Sequence, residues 1–251
     1  MNKVVNLKSV KVSCSQCSLS QLCMPRGLSE AEFDTLSSII KRERPLQKGE
    51  TLFELGQPFK SLYAIRTGSV KVFLPTNEGE EQIVGFHMPG ELLGFDGMSH
   101  ENHSCSAVAL ETTSVCELPY NTMHDLCQKL PELNDHFMAL MSHEIVDEHA
   151  MMLMLARKTA EARMATFLVN ISLRFSRRGF SSTEFNLPMS RNDIANYLGL
   201  AVETVSRIMT HLQDDGMIHV ERRFVSILDM PRLKKLAGLG ADETTIASEK
   251  A

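Results

Sequence analysis

The sequence predicts an α+β chain that joins an N-terminal β-roll, a long helix and a C-terminal winged helix-turn-helix. Short β patterns separated by glycines run from about residue 44 to 118, which favours a double-sheet roll. An unbroken helical pattern begins at Pro131, and a helix-turn-helix spacing begins at Met189. The predicted segments are an arm (1–28), the roll (29–130), the long helix (131–157), the winged domain (158–240) and a polar tail expected to be disordered (241–251).

The composition places the chain among ordinary globular proteins, with 43% hydrophobic and 23% charged residues. The longest apolar run, at 151–156, is too short to cross a bilayer, and the first residues lack the apolar core of a signal peptide. We therefore expect a cytoplasmic chain with reduced thiols and no membrane partner. The net charge of −5 argues against nucleic acid, but basic residues outnumber acidic ones between 157 and 207.

The first part of the chain carries three crowded cysteines and then a capped helix. Cys14, Cys17 and Cys23 lie within ten residues of one another. Ser29 and Glu32 form a capping-box pattern, which predicts a short helix after the arm. The strand patterns that follow are TLFELG, SLYAIRTG, SVKVFLP, EEQIVGFHMPG, ELLGFDG, CSAVALE and TSVCELP.

The long helix carries an apolar seam with spacings of three and four residues. This a/d pattern predicts dimerisation with a second copy of the chain. The simpler alternative is packing on its own roll, for which Phe137, Leu140 and Met151 lie on a neighbouring face. Glu148 would meet its twin across a symmetric dimer, and we expect this like-charge contact to keep the dimer weak. The seam residues are Met138, Met141, Ile145, Glu148, Met152 and Leu155.

The stretch at 189–216 carries the most specific motif. Ser190 and Asp193 are placed to cap a first helix. Ala195 is small where two helices cross, and Gly199 lies at the turn between them. An ordinary helical hairpin is the alternative, but this spacing constrains several positions at once. The pattern GMIHVERRFVSIL then predicts a β-hairpin, which completes a winged helix-turn-helix.

The start of the second helix in this motif predicts how DNA is read. Glu203, Ser206 and Arg207 lie where a recognition helix enters the major groove. Arginine bonds guanine, glutamate accepts from cytosine, and serine contacts a base or a phosphate. We expect Thr204 and Arg191 to hold phosphates, which set register rather than sequence. A dimer would present two such helices about 34 Å apart and would require an inverted repeat in double-stranded DNA.

The order of roll, long helix and winged helix-turn-helix resembles the CRP/FNR superfamily of bacterial transcription regulators. The resemblance implies a cyclic-nucleotide-binding-like roll, in which founding members hold their ligand with a glutamate and an arginine. Phe95 and Cys105 occupy those positions in this sequence. Because no arginine is present to neutralise a buried phosphate, we expect no cyclic nucleotide to bind.

The spacing Cys14-x2-Cys17-x5-Cys23 resembles the FNR/Anr-type oxygen-sensing branch of that superfamily. SLYAIRTG, GFHMPGELLGFD, TTSVCELP and NYLGLAVETVSR also resemble it, and the resemblance covers about 12–238. It implies a [4Fe–4S] cluster with Cys116 as the fourth ligand, and thiolates are the usual ligands of such clusters. It implies an activator or repressor that dimerises when the cluster is intact and reads TTGAT-like half-sites. It also implies a contact with RNA polymerase through Thr76, Asn77, Glu78, Gly79 and Glu80.

Several alternatives stay open at the cysteines. A zinc ion held by four cysteines uses similar spacing and would make the chain an oxygen-indifferent regulator. Cys105 or Cys127 is not excluded as the fourth ligand, although Cys127 fits a buried free thiol. Cys105 is also a candidate for a metal site with His100 and His103, but we expect their polar loop to be solvated. The sequence shows no nucleophile–base pair, phosphate loop or nucleotide fingerprint, so we expect no enzyme activity.

Overall fold

We describe the fold from a computed structural model, which describes residues 14, 17–23, 29–76 and 79–239. The tail at 241–251, and Asn77 and Glu78 of the expected polymerase contact, lie outside these residues. The helices are α1 (Ser20–Cys23), α2 (Glu30–Ile39), α3 (Tyr120–Cys127), α4 (Pro131–Arg157), α5 (Ala160–Arg177), α6 (Arg191–Leu198), α7 (Val202–Asp214) and α8 (Met230–Leu236). The strands are β1 (Thr51–Phe53), β2 (Ser61–Thr67), β3 (Val70–Pro75), β4 (Glu81–His87), β5 (Leu92–Leu93), β6 (Ser106–Ala109), β7 (Ser114–Pro119), β8 (Glu184–Asn186), β9 (Ile218–Glu221) and β10 (Phe224–Ile227).

The N-terminal half forms the predicted roll from two antiparallel sheets. The strand order is β1-β6-β3-β4 in one sheet and β5-β2-β7 in the other. Each of the predicted strand patterns contains a strand, and Gly68 makes the turn between β2 and β3 with a φ of 81°. Phe53, Ile65 and Val70 belong to a buried cluster with members from both sheets, so apolar burial holds the two sheets together.

Helices α2, α4 and α6 begin where the sequence predicts them. Capping boxes start α2 at Ser29 and α6 at Ser190, as the Ser/Glu and Ser/Asp patterns predict. Pro131 starts α4, which continues for 27 residues because no glycine or further proline interrupts it. Within the part of the chain that is described, no helix combines the length and the apolarity needed to cross a membrane.

The C-terminal domain is the predicted winged helix-turn-helix. Gly199 ends α6 in the left-handed conformation (φ 61°), which allows the tight turn into α7. Ile194, Leu198 and Val205 share the buried core of the domain. The sheet has the order β8-β10-β9, and the sequence analysis missed β8 because three residues are too few to show a strand period.

The C-terminal domain packs against the roll at the edge strand β4. The backbone N–H of Ile83 donates to Asn196 Oδ1 at 2.6 Å, and Asn196 Nδ2 donates to the carbonyl of Glu81 at 2.6 Å. The amide of Asn196 therefore pairs with the open edge of β4 as a neighbouring strand would. This pairing fixes α6 against the roll.

A second contact between the domains is ionic. Glu91, in the turn between β4 and β5, accepts hydrogen bonds from Arg174 Nε at 2.9 Å and from Arg178 Nη2 at 2.5 Å. The two arginines lie at the end of α5 and also donate to the carbonyls of Phe86 and Pro89. The roll and the helix-turn-helix are thereby held in one relative position.

Candidate metal centre and nucleic-acid interface

The fold brings the cysteines of the arm beside Cys116 of β7. Cys14, Cys23 and Cys116 belong to one apolar cluster, to which α2, α3 and the start of α4 also contribute. The arm is folded on itself, since the N–H of Cys17 donates to the carbonyl of Cys14 and the N–H of Cys23 donates to that of Leu19, both at 3.1 Å. Residues separated by about a hundred positions therefore meet in one apolar pocket.

The four thiols share one electrostatic environment. Burial, and then the three other thiols, raise the pKa of Cys23 to about 12. Burial likewise raises the pKa of Cys14, although hydrogen bonding and the charge of Arg42 oppose this. The Arg42 Nη2 atom lies 3.8 Å from Cys14 Sγ. Both thiols are therefore protonated in the metal-free chain, and binding a metal requires that they lose their protons.

The donor set is four thiols, which both a zinc ion and a [4Fe–4S] cluster can bind. Zinc holds four sulfurs at about 2.3 Å, so the sulfurs must lie within about 4 Å of one another. Among the described residues, no three His, Cys, Asp or Glu side chains are placed to bind one metal ion. In a [4Fe–4S] cluster the four thiolates bind different irons, which allows a wider spacing. The four thiols that act on one another here have the donor chemistry that such an iron–sulfur group requires.

The other two cysteines differ from these four. Cys105 is buried in the separate cluster between the two sheets, and burial and the charge of Asp96 raise its pKa. Cys127 packs at the edge of the arm's cluster, and burial alone raises its pKa. The structure thus brings Cys116 to the arm and keeps Cys105 away from it.

The expectation that the loop HENHSC is solvated is confirmed for His100 but is wrong for His103 and Cys105, which are buried. His103 is only 3% exposed and stacks on Phe53 at a ring separation of 3.8 Å. The carboxylate of Asp96 lies 3.3 Å from His103 Nδ1 and accepts the N–H of Ser104 at 2.7 Å. Asp96 thus pairs with His103 inside the roll, and of the candidate metal site only His100 is exposed. Local polarity misled the prediction because it does not reveal such pairing.

The arm also contacts the turn that binds the C-terminal domain. A Cβ atom added at Gly90 would lie 2.8 Å from the Cβ of Leu22, and Gly90 has a φ of 89°. Only glycine permits both this conformation and this close approach. Glu91, which binds Arg174 and Arg178, is the next residue. The sequence analysis missed this contact, whose only local signal was the turn pattern MPGELL.

The predicted dimer seam of α4 faces solvent. Met138, Ile145 and Met152 are 57%, 53% and 64% exposed, respectively. The neighbouring face packs as the simpler alternative requires, with Phe137 buried and Leu140 partly buried in the arm's cluster. Helix α4 therefore has one face on its own chain and an apolar face left open. The remaining seam residues are the exposed Glu148 and the half-buried Met141 and Leu155.

The predicted reading residues lie together on the C-terminal domain. Glu203, Thr204, Ser206 and Arg207 occupy the first two turns of α7, and Glu203 and Arg207 are exposed. The Arg207 Nη2 atom lies 3.4 Å from Thr204 Oγ1. Arg191 is exposed in the first turn of α6. A guanidinium donor, a carboxylate acceptor and hydroxyls on one helix face are the groups that bond base edges and phosphates.

The hairpin between β3 and β4 is exposed. The N–H of Thr76 donates to the carbonyl of Glu80 at 2.6 Å, and that of Gly79 donates to the carbonyl of Thr76 at 3.0 Å. Leu74 and Val84 are 40% and 45% exposed at the base of this hairpin. The hairpin therefore presents apolar side chains beside a polar turn.

Two family models match the chain in the order of its domains. A cyclic nucleotide-binding domain matches residues 43–130, and a Crp-like helix-turn-helix domain matches residues 162–236. The solved structure of FixK2 from Bradyrhizobium japonicum is 30% identical, with a TM-score of 0.73, and covers 81% of this chain and 100% of that chain.

Curated relatives match over nearly the whole length. The transcriptional activator protein anr of Pseudomonas aeruginosa is 54% identical over 225 residues, which are 90% of this chain and 92% of that protein. The fumarate and nitrate reduction regulatory protein of Escherichia coli is 49% identical over 227 residues, 90% of this chain and 91% of that protein.

Proposed function

The chain belongs to the CRP/FNR family of transcription regulators, and from this premise we propose that it senses oxygen. It is a DNA-binding transcription regulator and not an enzyme. In the proposal the chain binds a [4Fe–4S] cluster, dimerises while the cluster is intact, and controls anaerobic gene expression. The observation that carries the proposal is the meeting of the arm thiols with Cys116 in one apolar pocket.

Cys14, Cys17, Cys23 and Cys116 are the residues that would hold the cluster as thiolates. When bound, the cluster supplies a redox-active group that oxygen can degrade. As ligands, the four cysteines would tie the arm to β7, and Leu22 already lies against the Gly90 turn. Thiolates released from metal regain their protons, because burial raises the pKa values of Cys14 and Cys23. The arm then loses its anchor.

The energetics of the α4 seam favour a marginal dimer. Burying an exposed apolar side chain completely is worth about 1.5–3 kcal/mol, so a seam side chain already half covered gains roughly 1 kcal/mol. Met138, Ile145 and Met152 from two copies would give about 6 kcal/mol. Association costs at least about 4 kcal/mol, and two facing Glu148 carboxylates oppose it further. A small shift of α4 by the arm is enough to decide such a balance.

The dimer would read an inverted repeat with TTGAT-like half-sites. Glu203, Ser206 and Arg207 are the residues we assign to base edges, and Thr204 and Arg191 are those we assign to phosphates. We assign the contact with RNA polymerase to the exposed hairpin that contains Thr76, Gly79 and Glu80, together with Asn77 and Glu78.

We also propose that the roll binds no cyclic nucleotide. Where founding members of the family carry an arginine for the phosphate, Cys105 is buried beside the carboxylate of Asp96. His103, stacked on Phe53, occupies the adjacent interior. A phosphate bound here would face a negative charge instead of a positive one, which disfavours binding.

The proposal is tested by sedimentation and DNA binding under nitrogen and in air. The DNA is a duplex with two TTGAT half-sites in inverted repeat, and the proteins are wild type, Cys116→Ser and Cys127→Ser. We expect wild type and Cys127→Ser to dimerise and bind under nitrogen and to lose both properties in air. We expect Cys116→Ser to stay monomeric in both. Equal binding by wild type in air and under nitrogen would contradict the proposal, as would a fully active Cys116→Ser.

A further inference from the structure

Two buried side-chain atoms of the described residues have no hydrogen-bond partner, and both belong to residues beside the cysteines. They are Nε of Arg42 and Nε2 of His136. Arg42 follows α2 and places its Nη2 atom 3.8 Å from Cys14 Sγ. His136 lies in the second turn of α4, and its ring is hydrogen-bonded to the backbone of Cys23. Because an unpaired buried polar atom is costly, two at one site indicate that a further group completes the hydrogen bonding there.

Arg42 is the better donor of the two. A guanidinium is always protonated and each of its nitrogens donates. The imidazole of His136 already uses one nitrogen for the backbone of Cys23, so its other nitrogen donates only if the ring is protonated. Arg42 can therefore donate a hydrogen bond without any change in its protonation.

The charge of Arg42 also lacks a carboxylate. The basic residues around it are ion-paired, Lys41 with Glu117 at 3.8 Å and Arg44 with Glu50 at 2.8 Å. Across the described ranges, Arg42 forms no such pair, and its side chain contacts the sulfur of Cys14. A half-buried cation that faces thiols and has no carboxylate is suited to an anionic occupant of the thiol site.

We propose that Arg42 is a positioning residue of the metal site, which donates N–H groups to sulfur and balances the negative charge of the thiolates. This inference rests on the proposed function. A hydrogen bond from a cation to an anionic acceptor is shorter and stronger than a neutral one. Hydrogen bonds to the sulfurs tune iron–sulfur clusters, and such outer partners orient the ligands. Arg42 thereby holds Cys14 in its ligating position and slows the loss of iron.

The test compares Arg42→Met, Arg42→Lys and the control Arg44→Met in the full chain. The control removes an arginine two residues away whose side chain is 70% exposed and paired with Glu50. The first readout is the rate at which iron passes to the chelator bathophenanthroline disulfonate without oxygen. We expect iron loss about 10-fold faster in Arg42→Met, as for other outer partners of metal ligands, with Arg42→Lys between it and wild type. Arg44→Met should match wild type.

The second readout separates a role toward the metal site from a role in folding. Replacing a half-buried guanidinium that has no carboxylate partner and an unsatisfied Nε by methionine removes a desolvation cost, so the urea midpoint of the metal-free Arg42→Met chain should equal or exceed that of wild type. A lowered midpoint would overturn the inference by making Arg42 a folding residue. Iron loss from Arg42→Met at the wild-type rate would overturn this inference alone. A wild-type protein that takes up neither iron nor sulfide would overturn the proposed function, and this inference with it.

Discussion

Replacing Glu91 by glutamine should loosen the C-terminal domain from the roll. Glu91 accepts hydrogen bonds from both Arg174 and Arg178, whose side chains are only 17% and 4% exposed. Glutamine keeps the shape of the side chain but removes the carboxylate that pairs with both guanidiniums. Breaking a buried pair by removing one partner costs about 3–5 kcal/mol. Since 29% of the Glu91 side chain is exposed, water screens part of the ion-pair interaction. We therefore expect Glu91→Gln to lower the free energy of unfolding by about 2–3 kcal/mol.

The pH dependence gives the same prediction an independent check. Glu91 keeps its charge despite burial because Arg174 and Arg178 lower its pKa to about 2, from an ordinary value of 4.5. A folded-state pKa below the unfolded one contributes stability above about pH 4.5, which is lost as the pH falls toward 2. The difference in the free energy of unfolding between wild type and Glu91→Gln should therefore be largest at pH 7 and decrease below pH 4.5.

The assay is urea unfolding at a fixed protein concentration, because dimerisation makes stability concentration-dependent. Glu50→Gln is the matched control, since Glu50 also pairs with an arginine, Arg44, but on the surface. An exposed pair is worth about 0–1 kcal/mol. A Glu91→Gln loss no larger than that of Glu50→Gln would refute the reasoning, and so would a loss that is unchanged between pH 7 and pH 3.

Three further predictions concern the arm and the long helix. Glu148→Ala should strengthen the metal-free dimer about tenfold, since it removes a like-charge contact, and an unchanged sedimentation profile would exclude that role. Gly90→Ala should displace Leu22 and speed proteolysis of the arm. The control Gly56→Ala should not, because Gly56 also has a positive φ but has open space around it. Equal rates of cleavage in the two variants would contradict the contact between Leu22 and Gly90. Burial raises the pKa of Glu144 from 4.5 to about 7, so stability falls as the pH rises from 4.5 and the loss is complete above 7. Glu144→Gln should therefore stabilise the chain by about 1–2 kcal/mol above pH 7 and by nothing below pH 4.5, as urea unfolding would measure.

The elements that the sequence predicts well are those with a local cause. The capping boxes at Ser29 and Ser190, the turn at Gly199 and the start of α4 at Pro131 each depend on a few adjacent residues, and each appears as expected. Hydrogen bonds and φ preferences act over such short spans, so the pattern alone predicts them.

The features that escaped prediction depend on contacts between distant residues. Glu91 and Arg174 are 83 positions apart, and neither lies in a pattern that names its partner. His103 reads as a solvated loop residue until the fold places Phe53 and Asp96 against it. The position of Cys116 beside the arm was expected only from resemblance, because no periodicity connects Cys116 with the arm. Tertiary packing decides all three cases.

The most direct test of the account is the iron and acid-labile sulfide content of protein purified without oxygen, with its visible spectrum followed on exposure to air. The account predicts about four irons and four sulfides per chain, as a [4Fe–4S] cluster requires, and an absorbance that bleaches in air. A colourless protein that carries about one zinc per chain, as an all-cysteine zinc site would, contradicts it.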